Sequence, residues 1–142
     1  MVSAQRSLLP ALLIPLILAL SGCGDGTVED AESLADAYVE AGGECEELQV
    51  EEGGRQLDGP PDPWTEVGAC FGGKQLFTFE DEAGRDIMID GLKRVAEEDP
   101  SQHRGEQAMY GTNWIIYPAQ IEDEKDIAKD LDADFFSLSA TS

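Results

Sequence analysis

The chain has 142 residues, with nine Lys and Arg against 30 Asp and Glu, a formal net charge of −21 and a single histidine. Such a field repels nucleic acid and anionic surfaces, so no nucleic-acid partner is expected, and the length suffices for one compact domain and not for two. The acids are spread along the whole chain, which fits a solvated, anti-aggregation surface or adaptation to high salt; the functional alternative is a weak surface for divalent cations or a cationic partner.

From Leu8 to Leu20 every residue is apolar if Pro10 and Pro15 are included, but these 13 residues fall short of the roughly 20 that a helix needs to cross hydrocarbon. Met1 to Ser7 carries one cation, Arg6, and no acid, so the segment has the charged start, apolar middle and small-residue end of a secretory signal. That end is Leu20-Ser21-Gly22-Cys23. Over residues 1–23 the chain resembles a bacterial lipoprotein precursor, whose lipobox is a leucine, two small residues and a cysteine. The resemblance implies cleavage between Gly22 and Cys23, a diacylglyceryl group on the Cys23 thiol and often acylation of the new amino terminus. One acyl chain, at about 0.8 kcal/mol per buried methylene, holds only marginally, whereas two or three hold stably. The rival reading is an ordinary cleaved signal with Cys23 in a disulfide.

On the lipoprotein reading, loss of residues 1–22 removes Arg6 and leaves 120 residues with a net charge of −22. Residues 23–27 are then the lipidated cysteine and a tether of about 14 Å at full stretch, and 28–142 form a single acidic domain on the extracytoplasmic face of the cell membrane. With Cys23 assigned to lipid, Cys45 and Cys70 remain as a pair, expected to be oxidised outside the cytoplasm. A metal site on these two thiols lacks a third or fourth ligand nearby in sequence, so neither a metal nor a cofactor is expected.

Thr27 with Asp30 three residues on reads as a helix cap, opening a helix from about 28 to 41. Ala31, Leu34, Ala35 and Tyr38 share one face of it, and Gly42-Gly43 ends it. Leu48 and Val50 alternate with acids, predicting a half-buried strand. Residues 53–63 are a Gly/Pro-rich loop. Trp64 to Glu80 reads as a hairpin turning at Gly72-Gly73, with Phe77 and Phe79 on one face. Trp64 beside the loop either stacks on a ligand or caps the edge of a small core next to the disulfide. Asp81 is a plausible cap for a helix with Met88, Leu92 and Val95 at helical spacing, Ile89 and Ala96 beside them, and Pro100 as its stop. Gly84 and Gly91 weaken that helix by about 1 kcal/mol each relative to alanine. Residues 109–118 read as one strand, with Trp114 to Tyr117 almost continuously apolar, as in a strand covered on both faces. A last helix, about 119–131, carries Ile121, Ile127, Ala128 and Leu131, and Phe135-Phe136 is expected to dock the tail.

This order predicts an α+β fold: a small, mainly antiparallel sheet packed by about three helices and carrying one disulfide. The layout, with a helix ending in glycine, a first cysteine, a proline-rich loop with tryptophan, "GAC", an "LFTF" strand, a helix, "YGTNW" and a terminal helix, is similar to many small secreted or lipid-anchored proteins of actinobacteria that carry no assigned activity.

No motif supports enzyme activity. His103 stands in a polar connector two residues from Ser101, a spacing that does not bring nucleophile and base together, and it is expected to face solvent. Carboxylate pairs abound, as in Glu122, Asp123, Glu124 and Asp126, and favour the dipole of a helix they open. Neither "EDEAGRD" nor "DGTVED" follows the calcium-loop pattern, and Gly72-Gly73-Lys74 lacks the rest of a phosphate-binding loop. The expected function is a non-catalytic interaction role in the cell envelope, bound to membrane lipid through Cys23 and to an envelope protein or wall component. The alternative is a small-ligand or divalent-cation binder, with Trp64 and Trp114 as candidate contacts. A deep apolar cavity lined by Trp64, Phe77 or Trp114 favours the ligand binder; a filled core with an apolar surface patch favours the interaction domain.

Overall fold

The computed structural model describes residues 26–54 and 60–139. The signal segment, the cleavage position Gly22 and the lipidation position Cys23 lie outside them. Along the chain run α1 (Ala31–Glu40), β1 (Glu46–Glu52), β2 (Glu66–Phe71), β3 (Gln75–Thr78), α2 (Glu82–Glu98), β4 (Gln107–Tyr110), β5 (Trp114–Ala119), α3 (Ile121–Asp130) and β6 (Asp134–Ser137). The fold is α+β: three helices on a six-stranded, wholly antiparallel sheet of order β1-β2-β3-β5-β4-β6.

The pleat divides the apolar residues between two faces. Leu76, Ile116, Met109 and Phe135 lie in one row across β3, β5, β4 and β6 and pack with Leu34, Ala35 and Tyr38 of α1 and Ile127 and Ala128 of α3. Phe77, Ile115, Ala108 and Phe136 alternate with them and pack beneath Met88, Ile89, Leu92 and Ala96 of α2. A continuous apolar run such as Trp114 to Tyr117 is thus the mark of a strand covered twice. The placement of the helices follows from connectivity. β3 runs parallel to β4 across β5, and β5 runs parallel to β6 across β4, in the opposite direction. Crossovers of the usual single hand, made from oppositely directed strands, carry α2 and α3 to opposite faces.

Several elements stand as expected: the buried face Ala31, Leu34, Ala35 and Tyr38 of α1, the hairpin turning at Gly72 and Gly73 with φ of +106° and +100°, and the Asp81 cap, whose Oδ1 accepts from Gly84 N–H at 3.0 Å. Cys45 and Cys70 form the disulfide, with Cα atoms 4.9 Å apart.

Other elements differ from expectation. The cap of α1 is Asp30, which accepts from Ser33 N–H at 2.7 Å, not Thr27. Val28 is held outside the helix because its N–H and C=O both bond the Asn113 side chain, at 2.8 Å each. The stretch 109–118 is not one strand but the turn of a hairpin. Asn113 Nδ2 also donates to Phe79 O at 3.0 Å, and Gly111 passes so close beneath the Trp114 ring that a Cβ would meet it at 2.2 Å. Val95 and Ile121 point to solvent; on α2 the line facing the sheet is Ile89, Leu92 and Ala96, and Val95 stands about 100° around the helix from Ala96. The edge strand β1 leaves Val50 exposed as well, and the docked tail is itself the strand β6.

Candidate functional site

The described residues carry two polar clusters and one apolar surface that are candidate sites. In the first cluster, the turn before β3 delivers Lys74 to Glu124 of α3, with Nζ 2.7 Å from Oε1. Tyr38 of α1 donates its hydroxyl to the same oxygen at 2.5 Å, while Gln120 N–H donates to Oε2 at 2.7 Å. Lys74 also donates to Pro118 O at 2.5 Å and lies 5.7 Å from the Tyr38 ring centroid. Glu124 is only 7% exposed. Burial by itself raises its carboxyl, but hydrogen bonds from Lys74, Tyr38 and Gln120 and the Lys74 charge outweigh that and hold it below the ordinary range. Burial, and then the Glu124 bond and charge, push the Tyr38 phenol well up. The carboxylate therefore stays ionised and the phenol neutral, with both carboxylate oxygens and the phenol proton engaged by the chain itself. This is a tie between α1, β3 and α3.

In the second cluster, Glu106 Oε2 accepts from the Tyr117 hydroxyl at 2.6 Å and meets His103 Nδ1 at 2.7 Å. The Tyr117 bond and then the His103 bond lower the Glu106 carboxyl; burial and then Glu106 push Tyr117 up to about 12. His103 does not simply face solvent, as its sequence context implied: it is half-buried and bound to Glu106. Ser101 Oγ donates to Asp99 Oδ1 at 2.7 Å, away from the imidazole, so Ser101 is not a nucleophile held by this histidine–carboxylate pair.

The tryptophans divide. Trp114 is 2% exposed and its Nε1–H donates to Gly26 O at 3.2 Å. It is a core residue, and the expectation that it touches a ligand or partner is corrected: a strand covered on both faces leaves it no access. Trp64 is half-buried, edge-on to Phe77 at 5.5 Å, where it caps the α2 side of the core.

The apolar surface lies on α2. A shallow, open groove of about 520 Å³ is lined by Pro63, Ile87, Met88, Asp90, Gly91, Leu92, Arg94 and Val95. Ile87 is 64% and Val95 52% exposed. At about 100° per residue, Ile87, Gly91 and Val95 form the floor, Met88 and Leu92 the flank leading to the core, and Asp90 and Arg94 the other flank. Pro63 closes one end beside Gly84, where a Cβ would lie 3.2 Å from its carbonyl oxygen. Sequence reasoning missed this surface by assigning Val95 to the core; the visible signal was that α2 carries more apolar residues, at 87, 88, 89, 92, 95 and 96, than one buried stripe needs. Among the described residues no group of three or more His, Cys, Asp or Glu is placed to hold a metal ion, and no helix is long and apolar enough to cross a membrane. Compared with protein-family models, curated proteins and solved structures, the chain finds no match in any of the three.

Proposed function

We propose that this protein is an extracytoplasmic lipoprotein, held to the cell membrane by lipid on Cys23, whose single domain serves a non-catalytic interaction role in the envelope. The observation that carries the interaction reading is the open apolar groove on α2. Sites for small molecules enclose most of their ligand, whereas a groove floored by one face of one helix suits a macromolecular surface that brings its own walls. Of the aromatic residues that would line a ligand cavity, Phe77 and Trp114 are buried in the core, and Trp64 packs edge-on against Phe77. The anchor reading rests on Leu20-Ser21-Gly22-Cys23 and on the match between two remaining cysteines and one disulfide.

The two parts are tested separately. Cys23→Ser is expected to release the protein from membranes or leave it as uncleaved precursor, read by fractionation and mass spectrometry; a variant still processed and fully membrane-bound sinks the anchor. Chemical crosslinking in intact cells is expected to yield an adduct that Ile87→Glu abolishes at unchanged protein level and melting temperature. An adduct that survives the charge in the groove floor places the contact elsewhere.

A further inference from the structure

Resting on the reading of the α2 groove as a docking surface, we propose that its occupant is the same groove of a second copy of this chain, the two α2 helices crossing antiparallel about Gly91. Three features of α2 support a second copy over an unrelated partner.

The first is Gly91 itself. Among the described residues, and apart from its chain neighbours and the backbone of its own helix, no atom lies within 4 Å of the position its Cβ would take, so nothing packed there requires a glycine, although one in mid-helix costs about 1 kcal/mol relative to alanine. What a missing side chain permits is the close approach of another backbone. The second is symmetry. Ile87 stands four residues before Gly91 and Val95 four after, both exposed. A two-fold axis through Gly91 sets Ile87 against Val95 of the second copy and Val95 against its Ile87, the reciprocity that a self-complementary contact needs.

The third is charge. Asp90 and Arg94 share one flank, both exposed, and neither is in an ion pair among the described residues. Antiparallel helices face like flank to like flank, so Asp90 meets Arg94 of the second copy and Arg94 its Asp90. A parallel arrangement sets the same charges against the apolar flank of Met88 and Leu92, which disfavours it. The helix also carries three of the chain's nine basic residues, Arg85, Lys93 and Arg94, against five acids, so this surface is far less self-repelling than a chain of net −21 as a whole.

The test is sedimentation of the purified full chain, in density-matched detergent where it carries lipid, over a dilution series. A reversible dimer is expected. Its affinity should rise between low salt and about 0.5 M NaCl, because salt screens the long-range repulsion of two acidic bodies while leaving the apolar seam intact; a contact with a basic partner has the opposite dependence. Ile87→Glu should give a monomer of unchanged melting temperature. Asp90→Arg and Arg94→Asp should each weaken the dimer about tenfold, and the double reversal should restore it to within about threefold. Restoration is specific to a self-complementary flank, since a foreign partner would see both charges reversed. A chain that stays monomeric at every concentration and salt overturns the second copy, and the groove reading survives that result if Ile87→Glu still abolishes the adduct in cells. A dimer indifferent to Ile87→Glu, or a double reversal no better than the single ones, overturns the proposed seam.

Discussion

Cys45→Ala with Cys70→Ala, or reduction of the unaltered protein, removes the tie between the residue preceding β1 and the end of β2. The two cysteines are 25 residues apart, so on the chain-entropy relation the link contributes roughly 3.5 kcal/mol. The architecture tells where that loss falls. β1 is the outermost strand, hydrogen-bonded to β2 alone, and all its side chains but Leu48 are exposed. It has little burial of its own to hold it once the tie is gone. Cys70, by contrast, lies in the core against α1, so the rest of the sheet keeps its packing. At about 4 °C per kcal/mol for a domain of this size, and with part of the loss taken up by local opening of β1, the melting temperature is expected to fall by about 10 °C. Hydrogen exchange should show β1 amides losing protection before those of β3 and β5. A reduced protein that melts within about 2 °C of the oxidised one, with β1 protection unchanged, would refute the assignment of stability to this link.

Tyr38→Phe removes a hydrogen bond to a charged acceptor and is expected to cost about 2 kcal/mol in urea unfolding at neutral pH; an unchanged midpoint would show that the Glu124 tie contributes nothing. Because the folded-state Glu124 carboxyl is depressed, its contribution is present above the unfolded value near 4.5 and is lost as pH falls through the folded one. Glu124→Gln should therefore flatten the decline of stability below about pH 4.5, and an acid limb of equal steepness would count against it. Gly91→Ala, measured where the chain is monomeric, should raise stability by about 0.5–1 kcal/mol, since open space surrounds the new methyl; a loss in circular-dichroism melts would mean that the glycine serves the monomer.

Much of the fold was legible where the information is local. The 3.6-residue spacing of Ala31, Leu34, Ala35 and Tyr38 named the buried face of α1, the glycine pair placed the β2–β3 turn, and Asp81 marked the start of α2. Errors came where distant groups decide. Thr27 and Asp30 are both suitable caps by type, and the choice was made by Asn113, 85 residues from Val28. The apolar row Trp114 to Tyr117 was rightly read as a covered strand, but it takes the Asn113 side chain to turn the chain just before it. Of the acids in α3, nothing nearby distinguishes Glu124, which is buried because Lys74, 50 residues away, meets it. For the candidate site, the residues on α2 were visible, but their division between core and surface was not.

By itself, then, the amino-acid sequence determined the class of fold, the cysteine pair and the strong net acidity, because composition, periodicity and turn chemistry act over a few residues. Only the tertiary structure decided which apolar face of α2 meets the sheet and which is left open, that β6 completes the sheet, and which carboxylate is locked inside. Those outcomes depend on strand order and on crossovers that carry α2 and α3 to opposite faces, and pairings between residues far apart in the chain leave no periodic trace along it.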